Sequence, residues 1–331
     1  MEIAVDAMGG DGAPHVEVQG ALEAVRELGV KIRLVGNKEL LEKALGSRKN
    51  EKNLTIHHCN EWIRMDEAPL KAVRKKKDAS IRVAFDLAKK KEVAAVVSAG
   101  NSGATMAAGV LALGRMEGAE RPAIASVFPG RRGPVVLIDV GANVDCRPRH
   151  LFQFGIMAHA FASVCLGVND PKIGLLSIGE EGSKGNEQVR LTHQLFESSN
   201  LNFSGNVEGR DIFAGEVDII VCDGFVGNVA LKLTEGMAET FATMLQQEMT
   251  RSLAGKAALL LGRRSLMRLA GKLDYAEYGG APLLGVNGVG IICHGSSPPK
   301  AIKNAVKLAA RYAENDTLEK MTTLLQKNRE E

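Results

Sequence analysis

Aromatic side chains make up only 4% of the sequence, with a single tryptophan, which leaves few flat surfaces on which nucleic-acid bases could stack. A net charge of +3 is likewise too small to hold a phosphodiester backbone. Nucleic acid is not an expected partner. The five cysteines, Cys59, Cys146, Cys165, Cys222 and Cys293, show no CxxC spacing, and several sit in apolar runs where the thiol behaves as a small hydrophobe. That usage suits a reducing cytoplasm. Nowhere do 18 consecutive apolar residues occur, and "MEIAVDAMGG" has no basic n-region, so neither a membrane span nor secretion is expected.

Familiar cofactor signatures are missing as well. No G-x-G-x-x-G follows a strand, and no G-x-x-x-x-G-K-[ST] occurs. There is no H-E-x-x-H, and "HHC" at His57 to Cys59 lies on a strand, where neighbours face opposite sides. No metal and no organic cofactor is therefore expected. "GNSGA" misses G-x-S-x-G at Ala104, which makes Ser102 a helix cap rather than a nucleophile.

What remains is a chain of 331 residues, 45% of them hydrophobic, large enough for one big core or two modest ones. Apolar runs alternate with helical patterns: "EIAVDA", "KIRLVG", "LTIHHC", "VAAVVSAG", "AIASVF", "VVLIDVG", "KIGLLSIG", "VDIIVCDG" and "GVGIICHG". Such alternation predicts a largely parallel sheet with helices on both faces. The short "PGRRGP" link predicts one hairpin, and hence a mixed sheet. No repeat or low-complexity linker divides the chain, so a single domain over 1–331 is expected, with a helical excursion at 246–275.

Small and polar residues cluster behind these strands, in "DAMGGD", "SAGNSGA", "DVGAN", "IGEEGSKGN", "CDGFVGN" and "CHGSS". Ligands of open α/β sheets bind outside the carboxyl ends of the strands, so these six loops should converge on one cleft. Glycines allow close approach to a ligand, and helix N-termini offer unpaired N–H groups to an anion. "SAGNSGA" fits a phosphate cradle, with Ser98, Asn101 and Ser102 as donors; alone it would read as a tight strand-to-helix turn capped by Asn or Ser, but several such loops together favour the cradle. In "SIGEEGSKGNEQVR" the loop can place Lys184 against a phosphate or a developing oxyanion, or leave it an ordinary solvated surface lysine. Asn186 can start the next helix or bind a ligand, and Asn228 can be an N-cap.

Taken in order and spacing from residue 1 to about 312, "VDAMGGD", "SAGNSGA", "DVGAN", "GEEGSKGN", "DGFVGN", "EYGGAPLLGVNG" and "HGSS" resemble the bacterial phosphate acyltransferases that use acyl-acyl carrier protein (acyl-ACP). The family usually carries threonine where this chain has Ser102, so the hydroxyl is retained. The resemblance implies a three-layer α/β/α sandwich of the phosphotransacetylase and isocitrate-dehydrogenase type. It implies transfer of a long-chain acyl group to inorganic phosphate, giving acyl phosphate for phospholipid synthesis. It also implies a homodimer in the cytoplasm, peripherally associated with membrane, whose further partner would be the membrane glycerol-3-phosphate acyltransferase that uses acyl phosphate.

By the same resemblance Lys184 stabilises phosphate or oxyanion and Asn228 hydrogen-bonds the reacting carbonyl. His294 can protonate the leaving thiolate, or can equally be a structural histidine at a strand end. Asp6, Gly9, Gly10, Ser98, Asn101, Ser102, Asn143 and Asn186 are further substrate-binding candidates. Two readings from other classes stand beside it. A dehydrogenase of the isocitrate-like fold lacks its nicotinamide signature and carboxylate cluster here. A non-catalytic carrier- or lipid-binding module leaves the polar loops unexplained.

The segment Arg251 to Lys272 holds six basic residues and no acidic one. Leu253, Ala257 and Leu260 form one helical stripe; Leu266, Leu269, Ala270 and Leu273 form another after Gly262. Two short amphipathic helices with a break are expected, as a dimer contact or on anionic lipid. Arg74 to Lys77, Arg131 with Arg132, and this segment are each basic enough to meet an acidic carrier protein, and sequence does not choose among them.

Overall fold

The computed structural model of the protein describes residues 1–273, 275–314 and 316–328, with side chains described outside 266–275. Its strands are β1 (Glu2–Asp6), β2 (Lys31–Gly36), β3 (Leu54–His58), β4 (Ala95–Ser98), β5 (Ala123–Pro129), β6 (Pro134–Ile138), β7 (Ile173–Leu176), β8 (Phe203–Val207), β9 (Ile219–Val221), β10 (Ala281–Leu284) and β11 (Val289–Ile292). The helices are α1 (His15–Leu28), α2 (Lys38–Leu45), α3 (Pro69–Lys75), α4 (Ser80–Lys89), α5 (Ser102–Leu113), α6 (Pro148–Cys165), α7 (Glu187–Glu197), α8 (Gly224–Thr250), α9 (Leu253–Leu273), α10 (Pro299–Glu314) and α11 (Thr317–Lys327).

All eleven strands join one sheet in the order β3-β2-β1-β4-β11-β10-β5-β6-β9-β7-β8. Strand side chains alternate between the two faces. Ile3 and Val5 of β1 thus meet Leu22 of α1 and Ile302 of α10 in one core, while Ala4 meets Phe85 of α4 and Val73 of α3 in another. A third cluster joins Leu137 of β6 and Ile220 of β9 to Leu283 of β10. The result is the expected α/β/α sandwich with a mixed, largely parallel sheet.

The register of the middle strands decides where the loops go. β10 is antiparallel to β11, with Ala281 opposite Ile292, and antiparallel to β5, with Leu283 opposite Ile124. β5 then forms the expected hairpin with β6, Ala125 opposite Ile138 and Pro129 opposite Pro134. The strands from β3 to β11 therefore run one way and those from β6 to β8 the other. The carboxyl ends of both sets nevertheless meet, because Ile292 and Ile138 both stop level with the joint between β10 and β5. The "GRRG" turn, with Arg131 and Arg132, lies at the amino end of β6, away from that meeting point.

The helical excursion differs from expectation. The break falls at Arg251–Ser252, and α9 continues through Gly262 as one helix instead of two. A glycine inside a helix costs only about 1 kcal/mol relative to alanine, and the neighbouring leucines and arginines are good helix formers. Ser252 accepts a hydrogen bond from the Gly255 amide at 2.9 Å, starting the new helix. Within the 27 residues of α8 only Gly224 and Gly227 are buried, so most of it stands clear of the sheet. Leu253 and Leu260 are exposed; the side chains of Leu266, Leu269 and Leu273 lie outside the described residues.

Candidate active site

A cavity of about 230 Å³ opens where the two sets of carboxyl ends meet. Ser102 and Asn228 reach it from the opening turns of α5 and α8, and Gly141 and His294 from the loops after β6 and β11. Ile124 and Val140 give it apolar floor.

Ser102 is the first residue of α5, but Asn101 is the cap: its Oδ1 accepts from the Ala104 amide at 3.0 Å. The reading of Ser102 as a cap is corrected accordingly. The Asn101 side chain is also a clip, for Nδ2 donates to the carbonyls of Met65 and Glu67. Ser102 itself is exposed at the helix N-terminus, beside N–H groups suited to an anion.

Asp6, Ser98, Gly9 and Gly10 lie beneath this loop and shape it. Ser98 donates to Asp6 at 2.7 Å and accepts from the Gly100 amide at 3.0 Å. Gly9 packs against the Cα of Gly100, and a side chain at Gly10 would strike the carboxylate of Glu17. Glu17, on the first turn of α1, is buried with Oε2 lacking a hydrogen-bond partner among the described residues. Burial pushes its carboxyl up to about 7, and the nearby Asp6 charge adds to that. Burial raises Asp6 too, against the hydrogen bond from Ser98.

Asp139 organises the "DVGAN" loop. Its Oδ1 accepts from the amides of Ile124, Gly141 and Ala142, and Oδ2 from the amide and the Nδ2 of Asn143. Asn143 is buried, and its Nδ2 also donates to the Pro122 carbonyl at 2.7 Å, so it braces the loop from behind. α8 begins on this platform. Asp223 caps it, accepting from the amides of Phe225 and Val226, and Asn228 stands one turn later, outside the cap position open to it from sequence. Gly227 lies directly on the Asp139 carbonyl, a contact that only a residue without a side chain allows. That contact sets Asn228 beside Gly141, in the cavity.

Lys184 is exposed on the loop between β7 and α7 and is absent from the lining of the Asn228 cavity. Gly185 takes φ of +96°, turning the chain into Asn186, whose Oδ1 caps α7 by accepting from the Val189 amide at 2.9 Å. Beside this loop lies a second cavity of about 340 Å³, lined by Leu151, Leu175, Val189 and Val226. The Ser177 hydroxyl on its wall has no partner among the described residues. The first turns of α8 thus separate two cavities, Val226 facing the one near Lys184 and Asn228 the other.

His294 is exposed, and its Nδ1 lies 2.8 Å from Ser296 Oγ while accepting from the Ser296 amide at 3.3 Å. The amide contact suits the neutral tautomer with its proton on Nε2, whereas the Ser296 hydroxyl can accept from Nδ1–H or donate to Nδ1.

A family model described as fatty acid synthesis protein matches residues 1–320. The phosphate acyltransferase of Geotalea uraniireducens is 54% identical over 330 residues, covering 99% of this chain and 95% of that one. That of Geobacter sulfurreducens is 55% identical over 313 residues, covering 94% and 90%. The chain belongs to the phosphate acyltransferase family. Its class is that of an acyltransferase enzyme of lipid synthesis.

Solved structures bear on the fold of this acyltransferase alone. A phosphotransacetylase from Streptococcus pyogenes superposes with a TM-score of 0.65 at 19% identity, covering 95% of this chain and 94% of that one. A 4-hydroxythreonine-4-phosphate dehydrogenase from Klebsiella pneumoniae gives 0.55 at 16%, covering 94% and 99%. One fold serves transferases and dehydrogenases, so family membership decides the class where architecture does not.

Sequence reasoning passed over Asp139 and Glu17. Asp139 carried a signal, as the one acid in "DVGAN". Glu17 carried none, because an acid in the first turn of a helix reads as an ordinary solvated residue.

Proposed function

We propose that this acyltransferase moves a long-chain acyl group from the thioester of acyl-ACP to inorganic phosphate, releasing acyl phosphate and the carrier thiol. The observation that carries the reading is the cavity that gathers Ser102 at the N-terminus of α5, Asn228 near the start of α8 and His294 from the loop after β11, behind oppositely running strands.

Phosphate sits on the α5 N-terminus, beside the Ser102 hydroxyl. It attacks the thioester carbon directly, so the enzyme's task is to orient it and to stabilise the tetrahedral oxyanion. Asn228 donates to the carbonyl oxygen. Lys184 supplies positive charge, which requires its glycine-bounded loop to carry it toward α8 when substrate binds. As the C–S bond breaks, His294 in its imidazolium form, with Nδ1–H turned to the Ser296 hydroxyl, gives its Nε2 proton to the thiolate, and the proton shed by the attacking hydrogen phosphate restores the ring. The aliphatic chain lies in the apolar cavity beside Val226 and Val189.

The exposed leucines of α9 serve a homodimer or a peripheral membrane contact, around a single catalytic domain in the cytoplasm. Acyl phosphate is then handed to a membrane glycerol-3-phosphate acyltransferase. The test is incubation with palmitoyl-ACP and radiolabelled phosphate. Labelled acyl phosphate, trapped by hydroxylamine as the hydroxamate, is the expected product. Hydrolysis to free fatty acid without labelled acyl phosphate would overturn the reading.

A further inference from the structure

We infer that residues 62–77 form the face on which the acidic carrier protein docks. This rests on the acyl-carrier reading above, and names the partner surface of the same site.

Three large apolar side chains stand exposed here: Trp62 at 37%, Met65 at 44% and Leu70 at 49%. Around them Lys71, Arg74, Lys75 and Lys77 are exposed on α3 and just beyond it, with no ion pair among the described residues. Residues 64–78 hold six basic side chains against three acidic ones. The acids are already engaged: Asp66 with Arg64, Glu67 with Lys76, and Asp78 with the amide and side chain of Asn60. An apolar centre rimmed by free cations fits an amphipathic helix with acidic flanks.

This surface is also fastened to the site. Asn101 binds the carbonyls of Met65 and Glu67 while capping the helix that presents Ser102. Pro69, which opens α3, packs against Gly103, and the Met65 methyl rests on Gly295, next to His294. Lys76 closes the unit by donating to the Trp62 carbonyl at 2.9 Å. A carrier seated here has both Ser102 and His294 within the reach of its prosthetic arm. Of the two other basic candidates, the Arg131–Arg132 turn is at the far end of β6, with Arg132 engaged by Glu216, and α9 follows the part of α8 that stands clear of the sheet. Among the described residues, neither lines the cavity.

Trp62 is the only tryptophan, so its emission reports directly on this surface. Titrating the wild-type protein with a purified tryptophan-free acyl carrier protein, in its unacylated holo form, is expected to give a saturable change in emission that weakens with added salt. In Lys71→Glu/Arg74→Glu/Lys75→Glu the affinity should drop about tenfold or more. KM for lauroyl-ACP should rise by a similar factor, while kcat and the KM for neutral lauroyl-pantetheine hold. Carrier binding seen by ultracentrifugation with no change in Trp62 emission would overturn the docking face. So would equal losses with both donors, or a response to anionic phospholipid vesicles in place of the carrier, which would make the face a membrane contact. Carrier docking at Trp62 without any acyl phosphate formed would sink the proposed reaction and leave the docking face standing.

Discussion

Gly227 lies against the carbonyl oxygen of Asp139 with no room for a β-carbon between them. This contact fixes how closely α8 approaches the "DVGAN" loop, and with it the position of Asn228. Gly227→Ala should therefore destabilise the fold by about 1–3 kcal/mol, as overpacking against rigid backbone does. It should also lower kcat toward the level of Asn228→Ala. Denaturant unfolding beside steady-state turnover checks both effects.

Lys184 is exposed on a loop and contributes little packing. Lys184→Ala should leave the melting temperature unchanged and lower turnover by roughly 10²–10³, the loss typical of an oxyanion donor. Asn228→Ala should cost a similar factor, and the double variant less than the product of the two. Measurement at saturating acyl-ACP and phosphate decides it. Near-native turnover in Lys184→Ala removes the residue from the mechanism.

The Asp139 carboxylate accepts five hydrogen bonds, all from N–H donors. Asp139→Asn would turn one acceptor into a donor facing donors. The expected loss is about 1–3 kcal/mol, with activity falling as Gly141 and Asn143 shift. Thermal unfolding and kcat read the two parts, and Asn143→Ala should reproduce the second more weakly.

Glu17 gives a pH dependence whose sign can be worked out. Its folded value is raised from 4.5 to about 7, so the folded state holds a proton that the unfolded state releases earlier. Below about pH 4.5 both states are protonated and nothing is lost; between there and about pH 7 stability falls; above that the penalty is constant. Glu17→Gln should flatten the profile in that window and gain roughly 3 kcal/mol at about pH 8. Unfolding curves across this range test it, and an unchanged slope would show that Glu17 ionises without cost.

Nine of the strands were legible because they are apolar runs bounded by glycine and polar residues. β8, "FSGNV", escaped because it is a sheet-edge strand with glycine and asparagine in its middle, and β10, "APLL", because it carries proline and lies between glycines in "GGAPLLG". The site loops were legible as loops. Their division of labour was not: Asn101, Asn186, Asn143 and Ser98 all spend their side chains holding backbone, while Ser102, Asn228 and His294 face the cavity. Composition is the same for both roles, and only the hydrogen-bond partner distinguishes them. The direction of the strands was equally hidden, since a reversal halfway across the sheet leaves no mark on periodicity.

The β5–β10 ladder consists of two residue pairs, fewer than in any other ladder of the sheet. With two pairs against three to five in the others, this seam has the least backbone pairing across it. The seam runs through the floor of the cavity. Breathing of the two flanks about it would widen or narrow the gap between Ser102 and Asn228, coupling admission of a bulky thioester to the distance over which acceptor and carbonyl must meet. The gate of the site would then lie in the backbone of its own floor.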